Sequence, residues 1–353
     1  MVRRMKPRWR TTILGIGVPA AAAAGLLAAH AFVTSTPPAA PVCAKEPSVA
    51  LECYEHFYRT VVARQGVPAA FADLKARSPG NAEVQRLCHA ITHAIGREAA
   101  AKYSDVAEAF VHGDNVCGSG YYHGVLQGFA FTLGHDKLVS ELDEVCAGVP
   151  GKERRSLEYY NCVHGLGHGL MAVTSGDLFG ALRDCDGLTG AMERDACANG
   201  VFMENVVVDG AHGGHYSKYL RPGEPLYPCT AVDGKYKAAC FDIQTSYALG
   251  AVQGDFAKVF ALCAGVEMPF RATCDRSLGR DAATTSLDQV PGTITRCNLG
   301  TDREQRSNCL VGAVLDFVYY YHSDTQAKEL CAAAGADVRD ACRAAAAKLV
   351  GLF

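Results

Sequence analysis

The 353-residue sequence contains no C-x-x-C, no C-x-x-C-H, no H-E-x-x-H and no G-x-S-x-G. Those absences exclude a short-spaced zinc-thiolate cluster, covalent haem attachment, the paired-histidine helix of zinc proteases and the nucleophile elbow of serine hydrolases. A phosphate loop is missing as well: "GLGHG" at residues 165–169 lacks the following Lys and Ser/Thr, and no strand pattern precedes it. Basic excess is also lacking. The formal charge is -3, and Arg3, Arg4, Lys6, Arg8 and Arg10 crowd the first ten positions, so that 29 other basic residues face 37 acidic ones. A net charge of about -8 outside that start leaves no broad basic surface for nucleic acid.

Acidic residues are absent before Glu46. The basic start leads into "TTILGIGVPAAAAAGLLAAHAFV", residues 11–33, whose one titratable side chain is His30. This length approaches one bilayer crossing. Residues 1–33 are therefore expected to act as a signal peptide, cleaved near the small residues "AHA", or as an uncleaved membrane anchor with its basic end inside. The Pro-rich "TSTPPAAPV" begins a linker, residues 34–48, because closely spaced prolines favour extended chain. Residues 49–353 form the expected exported domain, and no later segment offers a second crossing.

Sixteen cysteines follow in a compartment where disulfides persist. Cys185 and Cys197 are 12 apart, Cys229 and Cys240 11, Cys263 and Cys274 11, Cys297 and Cys309 12, and Cys331 and Cys342 11. First members from Cys229 onward recur every 34 residues, and Cys146 with Cys162, 16 apart, fits one step earlier. Periods near 34 signify paired helices in an array. Each unit shows an amphipathic Ala/Leu-rich stretch ending near a cysteine, then a polar turn, then a cysteine opening a second apolar stretch. Neighbouring helix ends in such a hairpin satisfy the Cα separation of about 4.4–6.8 Å that a disulfide needs. Cys43, Cys53, Cys88 and Cys117 admit three connectivities, of which neighbour pairing is the simplest.

In this period and helix pattern, residues 69–353 resemble the cysteine-rich Sel1-like and tetratricopeptide families of αα-hairpin repeat proteins. The tetratricopeptide consensus W-x2-L-G-x2-Y is absent. The resemblance implies an all-α, disulfide-stapled curved solenoid with a concave surface; it implies no activity.

Aligned on their cysteines, the second helices differ in chemistry. "CDRSLGRDAA" and "CRAAAAKLV" carry nothing special, whereas "CHAITHAIGREAA", "CGSGYYHGVLQGF", "CVHGLGHGLMAV" and "CANGVFMENVVV" do. His89 with His93, and His164 with His168, are i, i+4 pairs that share a helix face. His123 and His168 both stand six residues after their cysteine. If the helices face inward, these five imidazoles converge within residues 84–209 on a transition metal, as one ion with spare acid-base groups or as a binuclear centre. Glu204 is the candidate ligand or general base, and Tyr122, beside Tyr121, the candidate hydroxyl. Zinc would favour hydrolysis, copper or iron oxidation.

Other groups read more plainly. His56, His112, His135 and His322 stand alone, as does His30, and lone histidines are ordinary core or surface residues. His212 and His215 lie in "GAHGGHYSKY", a Gly-rich loop that can cover the site or serve as a simple connection. "FVYYYHSD" reads as a packing face, and Met171, Met192 and Met203 are too dispersed for a copper tract. Three functions stand open: an exported metal-dependent hydrolase or oxidase acting on a small molecule or peptide, a metal storage or delivery protein, and an envelope protein-binding scaffold without catalysis. The three glycines within "NCVHGLGHGLM", each costing about 1 kcal/mol relative to Ala in a helix, demand a compensating contact.

Overall fold

The computed structural model describes residues 41, 43, 47–211, 217–286, 289–321 and 324–349. The expected export segment, most of the linker, and His30, His212, His215 and His322 lie outside the described residues. Among those described, every regular element is a helix, and no helix is long and apolar enough to cross a membrane.

The first group comprises α1 (Pro47–Gln65), α2 (Val67–Arg77), α3 (Ala82–Ala100), α4 (Val106–Val111), α5 (Gly120–Leu133), α6 (His135–Ser140), α7 (Leu142–Val145), α8 (Leu157–Val173), α9 (Leu178–Cys185) and α10 (Ala191–Ala211). The second comprises α11 (Gly234–Phe241), α12 (Thr245–Ala251), α13 (Phe256–Ala264), α14 (Met268–Thr285), α15 (Val290–Cys297), α16 (Arg303–Tyr321), α17 (Thr325–Ala333) and α18 (Arg339–Leu349). Local chemistry starts several of them. Asn81 Oδ1 accepts from the amides of Glu83 and Val84 at 3.1 and 3.0 Å before α3, and Ser156 Oγ accepts from that of Tyr159 at 3.2 Å before α8. Such caps satisfy backbone donors that have no partner within the helix.

The longer helices pack in succession, α3 on α5, α5 on α8 and α8 on α10, and again α14 on α16 and α16 on α18. One continuous apolar core runs through them. Eight disulfides staple the turns, with Cα separations of 5.4–5.9 Å. Among the open connectivities the pairs are Cys43–Cys53 and Cys88–Cys117. Eight such bonds point to an oxidising, extracellular environment. The succession of long second helices is interrupted where α11 and α12 stand in place of one long helix. There the buried Gln244 donates to the carbonyls of Pro225 and Tyr227 at 3.0 and 2.8 Å, tying the non-helical approach to the core.

The glycines of α8 meet both neighbours. A Cβ on Gly167 would lie 2.1 Å from the Cys197 carbonyl oxygen of α10, and one on Gly200 would lie 1.9 Å from the His164 carbonyl oxygen. Gly165 and Gly169 turn the other way, toward Leu126 and Ala130 of α5, at 2.9 Å each. Close contact on two sides, backbone against backbone toward α10 and backbone against side chains toward α5, is what offsets the helix penalty. The same reciprocal crossing joins α14 to α16: a Cβ on Gly279 would lie 1.9 Å from the Cys309 carbonyl oxygen, and one on Gly312 would lie 1.9 Å from that of Arg276.

Candidate metal centre

The close crossings of α3, α5 and α8 bring five imidazoles together. His123 on α5 occupies the middle, with ring centroids 5.4 Å from His89, 5.3 Å from His93, 4.7 Å from His164 and 4.5 Å from His168, the last stacked at 11°. His93 also meets His168 at 5.4 Å. Two triads, His89/His93/His123 and His123/His164/His168, each offer nitrogens within 4.8 Å of one another and could hold a metal ion. His123 belongs to both. All five are buried except His89, which is half-buried.

The hydrogen bonds decide which ring nitrogens are available. His89 Nδ1 lies 2.8 Å from the Cys117 carbonyl oxygen, an acceptor with no proton to give, so Nδ1 carries the proton. Cys117, Gly118 and Ser119 all have positive φ, of 62, 69 and 64°, and this left-handed run before α5 turns the carbonyl toward the imidazole. Such backbone is costly for Cys and Ser and persists where the surroundings hold it.

His93 Nδ1 lies 3.2 Å from Gln127 Oε1. The orientation of that amide is fixed from both ends, because Arg97 Nη1 donates to Oε1 at 3.0 Å and Gln127 Nε2 donates to Glu204 Oε2 at 3.1 Å. His93 Nδ1 is therefore a donor too. A neutral imidazole has one N–H, so Nε2 of His89 and Nε2 of His93 both present lone pairs, 3.2 Å apart. Two lone pairs at that distance repel each other, and a cation shared between them would relieve the repulsion.

The second pair has a similar frame. His168 Nδ1 donates to Glu204 Oε2 at 2.6 Å, which leaves its Nε2 3.1 Å from Nε2 of His164. Two imidazoles on one tetrahedral zinc, with Zn–N of about 2.0–2.1 Å, stand about 3.3 Å apart, close to both spacings. Nδ1 of His123 and Nδ1 of His164 are buried without a hydrogen-bond partner among the described residues. Burial pushes the imidazoles of His123, His93 and His164 well below their ordinary titration range and lowers that of His89, so desolvation keeps them neutral and able to coordinate.

The remaining candidates occupy different places. Glu204 touches the outer nitrogen of His168 and the amide of Gln127, the orienting position of a carboxylate behind a ligating histidine. Tyr122 packs edge-on against Phe110 and Tyr121, with centroids at 4.7 and 5.4 Å, and burial raises its phenol pKa far above the ordinary value. Tyr121 donates to the Ala109 carbonyl at 2.7 Å. Of the lone histidines, His112 stacks on Tyr103 and His135 pairs with Asp184 at 2.9 Å.

Two cavities flank the cluster. One of about 650 Å³ reaches Arg97, Gln127 and Glu204, the residues that hold the outer nitrogens of His93 and His168, and Ser217 lies on its wall. The other, about 330 Å³, reaches His123 and His164 directly. Sequence spacing did not indicate Gln127 and Arg97, whose part depends on amide orientation across helices. It also passed over Arg276 and Arg280, which line the smaller cavity. They stand two and six residues after Cys274, as His164 and His168 stand after Cys162, so the signal was present in "CDRSLGRDAA". Comparison with known families, curated proteins and solved structures finds no match to this chain.

Proposed function

We propose that the protein is an exported metalloprotein whose five-histidine cluster holds a transition-metal centre acting on a small molecule. The observation carrying this reading is the pair of lone pairs on His89 Nε2 and His93 Nε2, 3.2 Å apart with both Nδ1 protons committed elsewhere. A proton could also sit between them, but it would create an imidazolium where desolvation opposes charge. A metal ion draws on the same lone pairs and on those of His123. Bound zinc would supply Lewis-acid chemistry, and copper or iron redox chemistry.

In this reading His89, His93, His123, His164 and His168 are the ligand set, divided into two triads that share His123. Glu204, Gln127 and the Cys117 carbonyl orient the rings. The cavity open to His123 and His164 favours catalysis over storage, since a carrier has no use for a walled chamber beside its ion. The stacked, stapled helix pairs support reading the chain as a curved αα-hairpin array, the architecture implied by its resemblance to Sel1-like and tetratricopeptide repeats.

The test is elemental analysis of the chain produced in an oxidising compartment supplied with zinc, copper and iron. Stoichiometric metal is expected, with strong loss in His93→Ala and His168→Ala. Metal-free protein that also gives no ligand-field bands on titration with cobalt(II) would remove the metal centre.

A further inference from the structure

The smaller cavity has a regular construction. Ser119, His164, Asn199, Asp242 and Arg276 all line it, and each stands two residues after a cysteine: Cys117, Cys162, Cys197, Cys240 and Cys274. The α14/α16 pair reproduces the α8/α10 pair position for position. Gly167 and Gly279 each follow their cysteine by five residues, Gly200 and Gly312 theirs by three, and both pairs make the same reciprocal backbone contact. In that register Arg276 and Arg280 replace His164 and His168, and Asp316 replaces Glu204. Arg276, Arg280 and Asp316 line the same chamber as His123 and His164. One helix pair thus supplies imidazoles and its counterpart supplies guanidinium groups across the same space.

The two arginines are used differently. Arg280 is engaged with the Asp242 carbonyl at 2.6 Å, Ser246 Oγ at 3.1 Å and Asp281 Oδ1 at 3.2 Å. Arg276 has one hydrogen bond among the described residues, from Nη2 to Thr273 Oγ1 at 3.0 Å. Most of its five donors remain for a ligand. Asn161, His123 and His164 also line the chamber, and among the described residues Asn161 Nδ2, a donor, and Nδ1 of each histidine are buried without a hydrogen-bond partner. Tyr160, Met203, Ile243, Leu315 and Tyr319 give the chamber an apolar body. Asp242 and Asp316 in the wall oppose a multiply charged anion.

We propose that this chamber binds a small organic monocarboxylate, with Arg276 and Asn161 taking the carboxylate and the apolar wall taking the rest of the molecule. Planar guanidinium matches a carboxylate through paired N–H donors. About 330 Å³ lies at the lower end of small-molecule sites, which excludes a folded peptide or polymer segment. The ligand's position beside a reacting metal rests on the metal-centre reading; its capture by Arg276 does not.

Calorimetric titration of the full exported chain, as isolated and after chelation, tests this with benzoate, uncharged benzamide and inorganic phosphate as probes. Benzoate is expected to bind one to one in both preparations and more tightly than either comparator. Arg276→Gln should weaken benzoate at least tenfold, Arg276→Lys should retain part of the affinity, and Arg59→Gln in the larger cavity should leave it unchanged. Melting curves identify any variant that fails to fold, in which case the comparison among probes on the unaltered chain decides alone. Benzoate no tighter than benzamide, tighter phosphate, or unaltered affinity in folded Arg276→Gln overturns the proposal. Absence of metal with retained Arg276-dependent benzoate binding would remove the metal centre and leave the carboxylate site standing.

Discussion

Nδ1 of His89 and Nδ1 of His93 are held by groups that accept a proton and cannot supply one, the Cys117 carbonyl and a Gln127 amide locked by Arg97 and Glu204. The cluster is thus oriented from outside, and the outer residues should matter almost as much as the ligands. Glu204→Gln is expected to weaken metal affinity by about 10–100-fold, the usual loss when a partner behind a ligating histidine is removed. Competition against a chelator of known affinity measures it, and unchanged affinity would deny Glu204 that orienting role. Asp275 offers a separate test. Its Oδ1 is buried without a partner among the described residues, and burial pushes its carboxyl up to about 6. The unfolded carboxyl titrates near 3.9. Between those values the folded chain keeps a proton that the unfolded chain releases, so stability falls as pH rises through that window and is lowest above it. Asp275→Asn should remove that slope and gain about 2–3 kcal/mol at neutral pH, read from denaturant unfolding at pH 4 and pH 7.

Helices meet so closely around the cluster that side-chain size on their crossing lines controls the geometry of the imidazoles. Gly167→Ala would place its Cβ 2.1 Å from a backbone carbonyl, and helices cannot separate there without moving His164 and His168. The expected cost is about 1–3 kcal/mol, or more, together with weakened metal binding. Gly250→Ala in α12 is the contrast: nothing lies within 4 Å of the added Cβ, and a gain of about 0.5–1 kcal/mol is expected. Thermal melts of the two variants should move in opposite directions. These elements also mark the limit of what spacing conveys. Cysteine intervals disclosed the helix pairs and their staples, and i, i+4 spacing disclosed both histidine pairs. The same offsets led past Arg276, because Arg in an isolated repeat resembles a solvated charge until the chamber it faces is known. Nothing local in the sequence around residue 244 announced the break between α11 and α12, which depends on carbonyls 17 and 19 residues earlier.

Across the whole molecule, disulfides recur on the scale of the repeat while the apolar core runs continuously between the repeats. Each staple closing an 11-residue or 12-residue interval limits the unfolded chain by about 3 kcal/mol in the chain-entropy account. Replacing Cys331 and Cys342 together by Ser is expected to cost about that amount and to leave metal content unchanged, since this staple is remote in sequence from the five histidines. Differential scanning calorimetry and elemental analysis of one preparation check both halves. Cys88–Cys117 differs, because Cys117 is also the residue whose carbonyl orders His89. In the proposed metal centre, ion binding and sulfur oxidation at that position would therefore be thermodynamically linked: whatever factor the closed bond adds to metal affinity, bound metal would add equally to the bond's resistance to reduction. With that centre in place, a chain entering an oxidising compartment would thus acquire the ion and the Cys88–Cys117 bond as one mutually reinforcing event.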